Sequence, residues 1–126
     1  MTDGFFRVAA ATPKIKVADC RFNKGAVLEL MRECEARSVG AVVFPELCLT
    51  GYTCGDLFRG STLISGAEEA LGGLLEETKE MKVLAIVGLP VVYGAGLYNC
   101  AAVFCRGKLL GVVPKTNIPN YSEFYE

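Results

Sequence analysis

Hydrophobic positions along this chain follow two rhythms. Phe5 to Ala11 is a short apolar run, which predicts a first, buried strand. Further on, Val27, Leu30, Met31 and Cys34 fall at i, i+3, i+4 and i+7, the core stripe of an amphipathic helix. Glu29, Arg32, Glu33, Glu35 and Arg37 take the wet side, with Glu33 placed to pair with Arg37 one turn on. Asn23 is a candidate to cap this helix and Gly40 to stop it. Ala41 to Phe44 predicts a second buried strand, ended by Pro45. A loop from Glu46 to Gly60, rich in Gly, Thr and Cys, leads to Ser61, a candidate N-cap. Ile64, Ala67, Leu71, Leu74, Leu75 and Thr78 then recur at helical spacing, although Gly66, Gly72 and Gly73 each weaken a helix by about 1 kcal/mol relative to Ala. Val83 to Leu89 predicts a third strand. Val91–Tyr93 and Leu97–Cys105 read as a hairpin around Gly94-Ala95-Gly96. Arg106-Gly107-Lys108 predicts a tight turn into a last strand, Leu109 to Val113.

The order β-α-β-loop-α-β followed by hairpins predicts an α/β fold with a mixed sheet. Helices near 24–38 and 62–81 suffice to cover one face of that sheet, and little remains for the other. Core accounting therefore favours a truncated layer: a fragment whose second half is missing, or a chain that pairs with something. A small two-layer domain with a frayed aromatic, acidic tail is the alternative. Open edges and a bare apolar face predict marginal, aggregation-prone folding in isolation. The stretch from Val83 to Cys105 carries no charge and is long enough to cross a bilayer, yet Gly88, Pro90, Gly94, Gly96 and Asn99 interrupt it. Two strands explain it better than a span.

Composition narrows the chemistry. The 126 residues amount to one domain or part of one. Thirteen Lys and Arg against fourteen Asp and Glu give a net charge of -1, so no basic field is available for nucleic acid. There is no histidine, which excludes Ser-His and Cys-His pairs and His-ligated metals within this chain. Acid–base work falls to Glu, Asp, Lys, Tyr or Cys. Six cysteines occur without a C-x-x-C pair, and no signal peptide is visible at the N-terminus. Reduced thiols and a cytoplasmic location are expected.

Two charged residues share a setting. Glu46 follows an apolar strand and a proline in Phe44-Pro45-Glu46-Leu47; Lys115 does the same in Val112-Val113-Pro114-Lys115. Ligands of open α/β sheets bind at the carboxyl ends of strands. A partly desolvated carboxylate there suits general-base work, and a lysine beside it suits oxyanion stabilisation or activation of a thiol. Each residue taken alone is more often an ordinary surface charge.

PELCLTGY (Pro45 to Tyr52) and GVVPKTNIPNYSEFYE (Gly111 to Glu126) together resemble the first two motifs of the nitrilase, or carbon–nitrogen hydrolase, superfamily. The likeness extends over nearly the whole chain, including GLPV at Gly88 to Val91 and YNCAAVFCRGK at Tyr98 to Lys108. The KTNIPNYSEFYE form is most similar to the glutaminase domain of the glutamine-dependent NAD synthetase branch. The resemblance implies the first half of an αββα sandwich and a Glu-Lys-Cys triad. Glu46 matches the general base and Lys115 the oxyanion-stabilising lysine. The nucleophilic Cys of the family follows a later strand, and none of the six cysteines has that context; Cys48 and Cys54 precede the Lys and do not match. The resemblance also places Tyr52, Tyr121 and Glu126 around the glutamine, with Glu126 taking its α-ammonium. Core packing is an equal prospect for the two tyrosines. Glu123 is a candidate to orient Lys115, and Phe124 to pack.

For the complete enzyme the resemblance implies hydrolysis of the glutamine side-chain amide. The ammonia is consumed at a distant site that uses ATP and Mg to adenylate nicotinic acid adenine dinucleotide. That domain, like the nucleophile, is expected outside this chain, so the chain itself is expected not to hydrolyse glutamine. Superfamily members often assemble, and a homo-oligomer is expected. The rival readings are a stand-alone amidase or carbamoylase of the same fold, and a non-catalytic oligomerisation module.

Overall fold

The computed structural model describes residues 4–52, 54–55 and 60–115. Its elements are β1 (Val8–Ala10), α1 (Cys20–Ala36), β2 (Ala41–Val43), α2 (Ser61–Glu77), β3 (Leu84–Tyr93), β4 (Gly96–Cys105) and β5 (Lys108–Pro114). The five strands form one sheet in the order β1-β2-β3-β4-β5. β1, β2 and β3 pair in parallel, β4 runs against β3, and β5 runs against β4. Four strands therefore point the same way, and the carboxyl ends of β2 and β5 lie on one rim. The mixed α/β layer predicted from the alternation of strands and helices is the one observed.

Register decides which face is dry. Ala85 pairs with Phe104, Val87 with Ala102 and Leu89 with Cys100. These pairs share one face, and all six are buried. Val27, Met31 and Cys34 of α1 and Leu63, Ala67, Ala70 and Leu74 of α2 complete the same cluster. The two helices pack on each other, joined at the surface by Lys24 Nζ to Glu77 Oε2 at 2.7 Å. The opposite face carries Val8, Val43 and Val113, all exposed. One layer of helices on one face of the sheet is the predicted arrangement.

Several local expectations are corrected. Phe5–Ala11 is not a buried strand: only Val8–Ala10 pairs, at the sheet edge, and Phe5, Phe6 and Val8 are 76%, 63% and 66% exposed. An apolar run cannot by itself report whether the sheet beyond it continues. Asn23 does not cap α1. Asp19 does, its Oδ1 accepting from the Phe22 N–H at 3.0 Å, while Asn23 sits inside the first turns, fully buried. Nor does Gly40 stop the helix. Ser38 takes the left-handed conformation, and the Val39 and Ser38 N–H groups return to Cys34 O and Glu35 O. Gly40 instead leaves room for the Phe6 ring, which a side chain there would strike. Gly60, not Ser61, is the N-cap of α2, without a side-chain bond. Pro90 does not divide the third strand from the hairpin: Leu84–Tyr93 is one strand, and Pro90 pairs with Asn99. Glu33 and Arg37 do pair, at 3.1 Å.

Candidate functional site

The chain leaves β2 through Phe44, whose N–H still reaches Ile86 O on β3. Pro45 cannot donate a ladder bond, so the strand ends and the backbone turns across β3. The turn is tight. Cys48 N–H bonds Pro45 O at 3.2 Å, and Thr50 and Gly51 N–H bond Leu47 O at 3.2 and 2.7 Å. Leu47 takes a positive φ of 52°, an uncommon conformation for a leucine, and Gly51 one of 89°. Strain of this kind persists only where its surroundings enforce it.

Three contacts enforce it. Leu49 N–H bonds Gly88 O at 3.1 Å, extending the parallel pairing. Gly88 lies directly beneath Pro45-Glu46-Leu47; a Cβ there would collide with the Leu47 nitrogen and stand 2.9 Å from Pro45 O and 3.0 Å from the Glu46 carbonyl carbon. The Cys48 thiol fills the adjoining space, 3.4 Å from the Gly88 nitrogen. Leu47, Cys48, Leu49 and Thr50 are all buried, so the turn is part of the core even though Glu46 projects from it.

Lys115 arrives from the other side of the sheet. β2 and β5 are separated by β3 and β4, so three strand spacings of about 4.8 Å put them roughly 14 Å apart. The Lys115 N–H bonds Asn99 O at 2.7 Å, which holds its backbone to β4. The turn carries Glu46 over β3 towards it. Lys115 Nζ thus donates to Glu46 Oε1 at 2.6 Å, across 69 residues of sequence. Both side chains are about one-third exposed, at 36% and 35%. They stand at one end of a groove of about 330 Å³ on the uncovered face, lined also by Val43, Ile86, Asn99 and Val113.

Glu46 and Lys115 are thus brought together as their shared sequence setting suggested. Tyr52 lies on the same loop and is 46% exposed, and it is not among the described residues lining the groove. Tyr121, Glu123 and Glu126, assigned to substrate or to orienting Lys115, lie outside the described residues, as does Phe124. Among the described residues no group of three or more His, Cys, Asp or Glu side chains could hold a metal ion. No helix is long and apolar enough to cross a membrane among them.

The cysteines are all free, and five are buried. Burial raises the Cys48 thiol to about 11, opposed by hydrogen bonding to Gly88 and its own backbone. Cys54 is likewise raised by burial, and it donates to Thr50 O at 3.2 Å. Neither thiol beside the turn has the low-pKa, accessible setting of a nucleophile. Two residues that shape the site, Asn23 and Gly88, are not among the site residues the sequence points to. For Asn23 the signal was present: it lies four residues before Val27, which puts a polar side chain on the buried stripe.

The carbon–nitrogen hydrolase family profile matches residues 7–126. The glutamine-dependent NAD(+) synthetase of Mycobacterium tuberculosis is 40% identical over 123 residues, covering 98% of this chain and 18% of that protein. Among solved structures, a glutamine-dependent NAD(+) synthetase from Cytophaga hutchinsonii superposes with a TM-score of 0.88 at 25% identity, covering 95% of this chain and 21% of that one. The enzyme from Acinetobacter baumannii, solved with adenosine diphosphate, gives 0.85 at 26% identity, covering 96% and 24%. The chain therefore spans about one-fifth of the length of these relatives.

Proposed function

We propose that this chain, which belongs to the carbon–nitrogen hydrolase family, supplies the base and the oxyanion donor of a glutaminase site that feeds ammonia to NAD synthesis. The observation that carries this reading is the 2.6 Å contact between Lys115 Nζ and Glu46 Oε1 at the rim of the groove. A carboxylate and an ammonium held together there can serve one amide group, the carboxylate moving protons to its nitrogen and the ammonium stabilising charge on its oxygen.

In this reading Glu46 removes the proton of a thiol, and the thiolate attacks the side-chain amide carbon of glutamine. Lys115 stabilises the oxyanion of the tetrahedral adduct. Glu46 then returns its proton to the nitrogen, the C–N bond breaks, ammonia leaves and a thioester remains. Glu46 next takes a proton from water, which attacks the thioester carbon; glutamate departs and the thiol is restored. The attacking thiol is none of the six cysteines here. The raised, buried Cys48 and Cys54 support that assignment. Tyr52, Tyr121, Glu123 and Glu126 are assigned to glutamine recognition and to orienting Lys115. Residues outside this chain would hold ATP and Mg, which would supply the adenylation of nicotinic acid adenine dinucleotide. The exposed apolar sheet face supports packing against further sheet or a second copy of the chain. Its buried free thiols suit the reducing cytoplasm.

The test uses the complete reading frame that carries this chain. Glu46→Gln should abolish glutamine-supported NAD formation and leave ammonia-supported formation. Lys115→Ala should lower the glutamine rate by about 10²–10³-fold. Ammonia release from glutamine by the 126-residue chain alone would overturn the assignment of the thiol. Hydrolysis of small amides with no ATP-dependent product would indicate a stand-alone amidase instead.

A further inference from the structure

We infer that Asn23 is a positioning residue for Glu46, acting through the Leu47–Gly51 turn. This rests on the reading of Glu46 as the base. Asn23 is fully buried within α1, where a polar side chain is costly unless its hydrogen bonds are met. Its carboxamide oxygen and both amide hydrogens are engaged with two backbone segments. Oδ1 accepts from the Lys16 N–H at 2.8 Å, and Nδ2 donates to Lys16 O at 2.9 Å and to Leu49 O at 3.1 Å. The first two bonds fix the segment leading into α1. The third crosses to the far side of the turn that carries Glu46.

The same two segments meet once more nearby. Ala18 N–H bonds Thr50 O at 2.7 Å, and Gly51 packs its α-carbon against Val17, where a Cβ would stand 3.3 Å from the Val17 backbone. The turn is thus held between α1 with its leading segment on one side and Gly88 of β3 on the other. The β3 side supplies the Leu49 N–H bond to Gly88 O, and Asn23 takes the carbonyl of the same residue. Leu49 is therefore anchored at both of its backbone polar groups, three residues from Glu46. With Leu47 held at positive φ between them, freeing the Leu49 carbonyl gives the strained turn a route to relax. The Glu46 carboxylate would then lose its fixed place against Lys115.

Any other short polar residue could satisfy part of this pattern, but a carboxamide alone offers one acceptor and two donors at this reach. Asn23→Asp keeps the shape and the acceptor for Lys16 N–H. When ionised it loses both donors; when protonated it regains one.

The experiment compares Asn23→Ala and Asn23→Asp in the complete protein, with Glu46→Gln as control. Glutamine-supported and ammonia-supported NAD formation are both measured per folded molecule. For Asn23→Ala the glutamine kcat is expected to fall by about 10–10²-fold, as for a misplacement of order 1 Å. KM for glutamine and the ammonia-supported rate should stay within about twofold. Relative to the unsubstituted protein, Asn23→Asp should show a glutamine kcat that recovers as pH falls while the ammonia-supported rate does not change with it, a divergence that loss of folded protein alone does not give. A glutamine kcat that is unchanged, or that falls in parallel with the ammonia-supported rate, overturns the inference. So does failure of both variants to fold, which would make Asn23 purely structural. If Glu46→Gln retains the glutamine rate, it is the assignment of the base that fails.

Discussion

Gly88→Ala is the smallest change that should separate the fold from the site. The added methyl meets three backbone atoms of Pro45-Glu46-Leu47, none of which can swing away like a side chain. Two would stand at 2.9 and 3.0 Å, and the third, the Leu47 nitrogen, closer still. To regain contact distances near 3.5 Å, the turn must retreat from β3 by about 1 Å. Gly88 does not have a positive φ, so alanine brings no backbone strain of its own, and the whole effect is this displacement. Overpacking of that kind costs about 1–3 kcal/mol. The chemical cost should reach the top of that range, about 2.7 kcal/mol for a hundredfold loss. The Lys115–Glu46 contact of 2.6 Å has no slack, and a misplacement of order 1 Å commonly lowers kcat by about 10²-fold. The assay is glutamine-supported turnover in the complete protein, alongside its melting transition and ammonia-supported turnover. A variant with full glutamine turnover would refute the reasoning, because it would show that the turn can move without moving the base. A loss of melting cooperativity together with both activities would refute it differently, by making Gly88 a folding residue only.

Two further outcomes follow from the same geometry. The unfolded chain releases the Cys48 proton near pH 9, while the folded chain holds it to about 11. The folded state therefore binds more protons in that window, and its stability should fall as pH rises from 9 to 11, by roughly 3 kcal/mol at most from Cys48. Cys20, Cys34, Cys54 and Cys100 shift in the same direction, so denaturant midpoints that hold constant between pH 8 and 11 would contradict the burial argument. Lys115→Ala should change the melting free energy by about 1 kcal/mol or less, since an ion pair one-third exposed contributes little to stability. A larger loss would mean that the pair holds the fold together.

What was legible in the sequence was whatever depends on period. The stripe of Val27, Met31 and Cys34 and the apolar run from Val83 identified a helix and a strand, and the order of elements implied a mixed sheet with one covered face. Less legible was whatever depends on neighbours distant in sequence. Phe5–Ala11 has the composition of a buried strand, and its exposure follows from its place at the edge and, for Val8, from the uncovered face. Ser38 performs the helix stop usually left to glycine, so Gly40 drew the stop two residues late. Pro90 looked like a break because proline cannot donate to a ladder, yet the strand runs through it and pairs it with Asn99. Glu46 and Lys115 could be found because each sits where a strand ends in proline. Their contact could not, since nothing local to either reports how the turn crosses β3.

That crossing accounts for the division of labour within the site. The charged groups lie at the surface, one-third exposed and cheap in stability, while the residues that aim Glu46 are buried beneath it. Asn23 spends its bonds on the backbone of the turn and of the Lys16 segment beside it, and Cys48 meets the Gly88 backbone, so each can be demanding in identity without touching a substrate. A base held by its own side-chain packing would be buried with it and closed to the groove. Holding it instead through a rigid, strained turn leaves the carboxylate open on one side and fixed on the other, as a group that must meet both a proton donor and Lys115 requires. The sheet contributes the rest. Because β2 and β5 run in the same direction, their carboxyl ends meet on one rim, and a single turn over β3 is enough to close the roughly 14 Å between the strands.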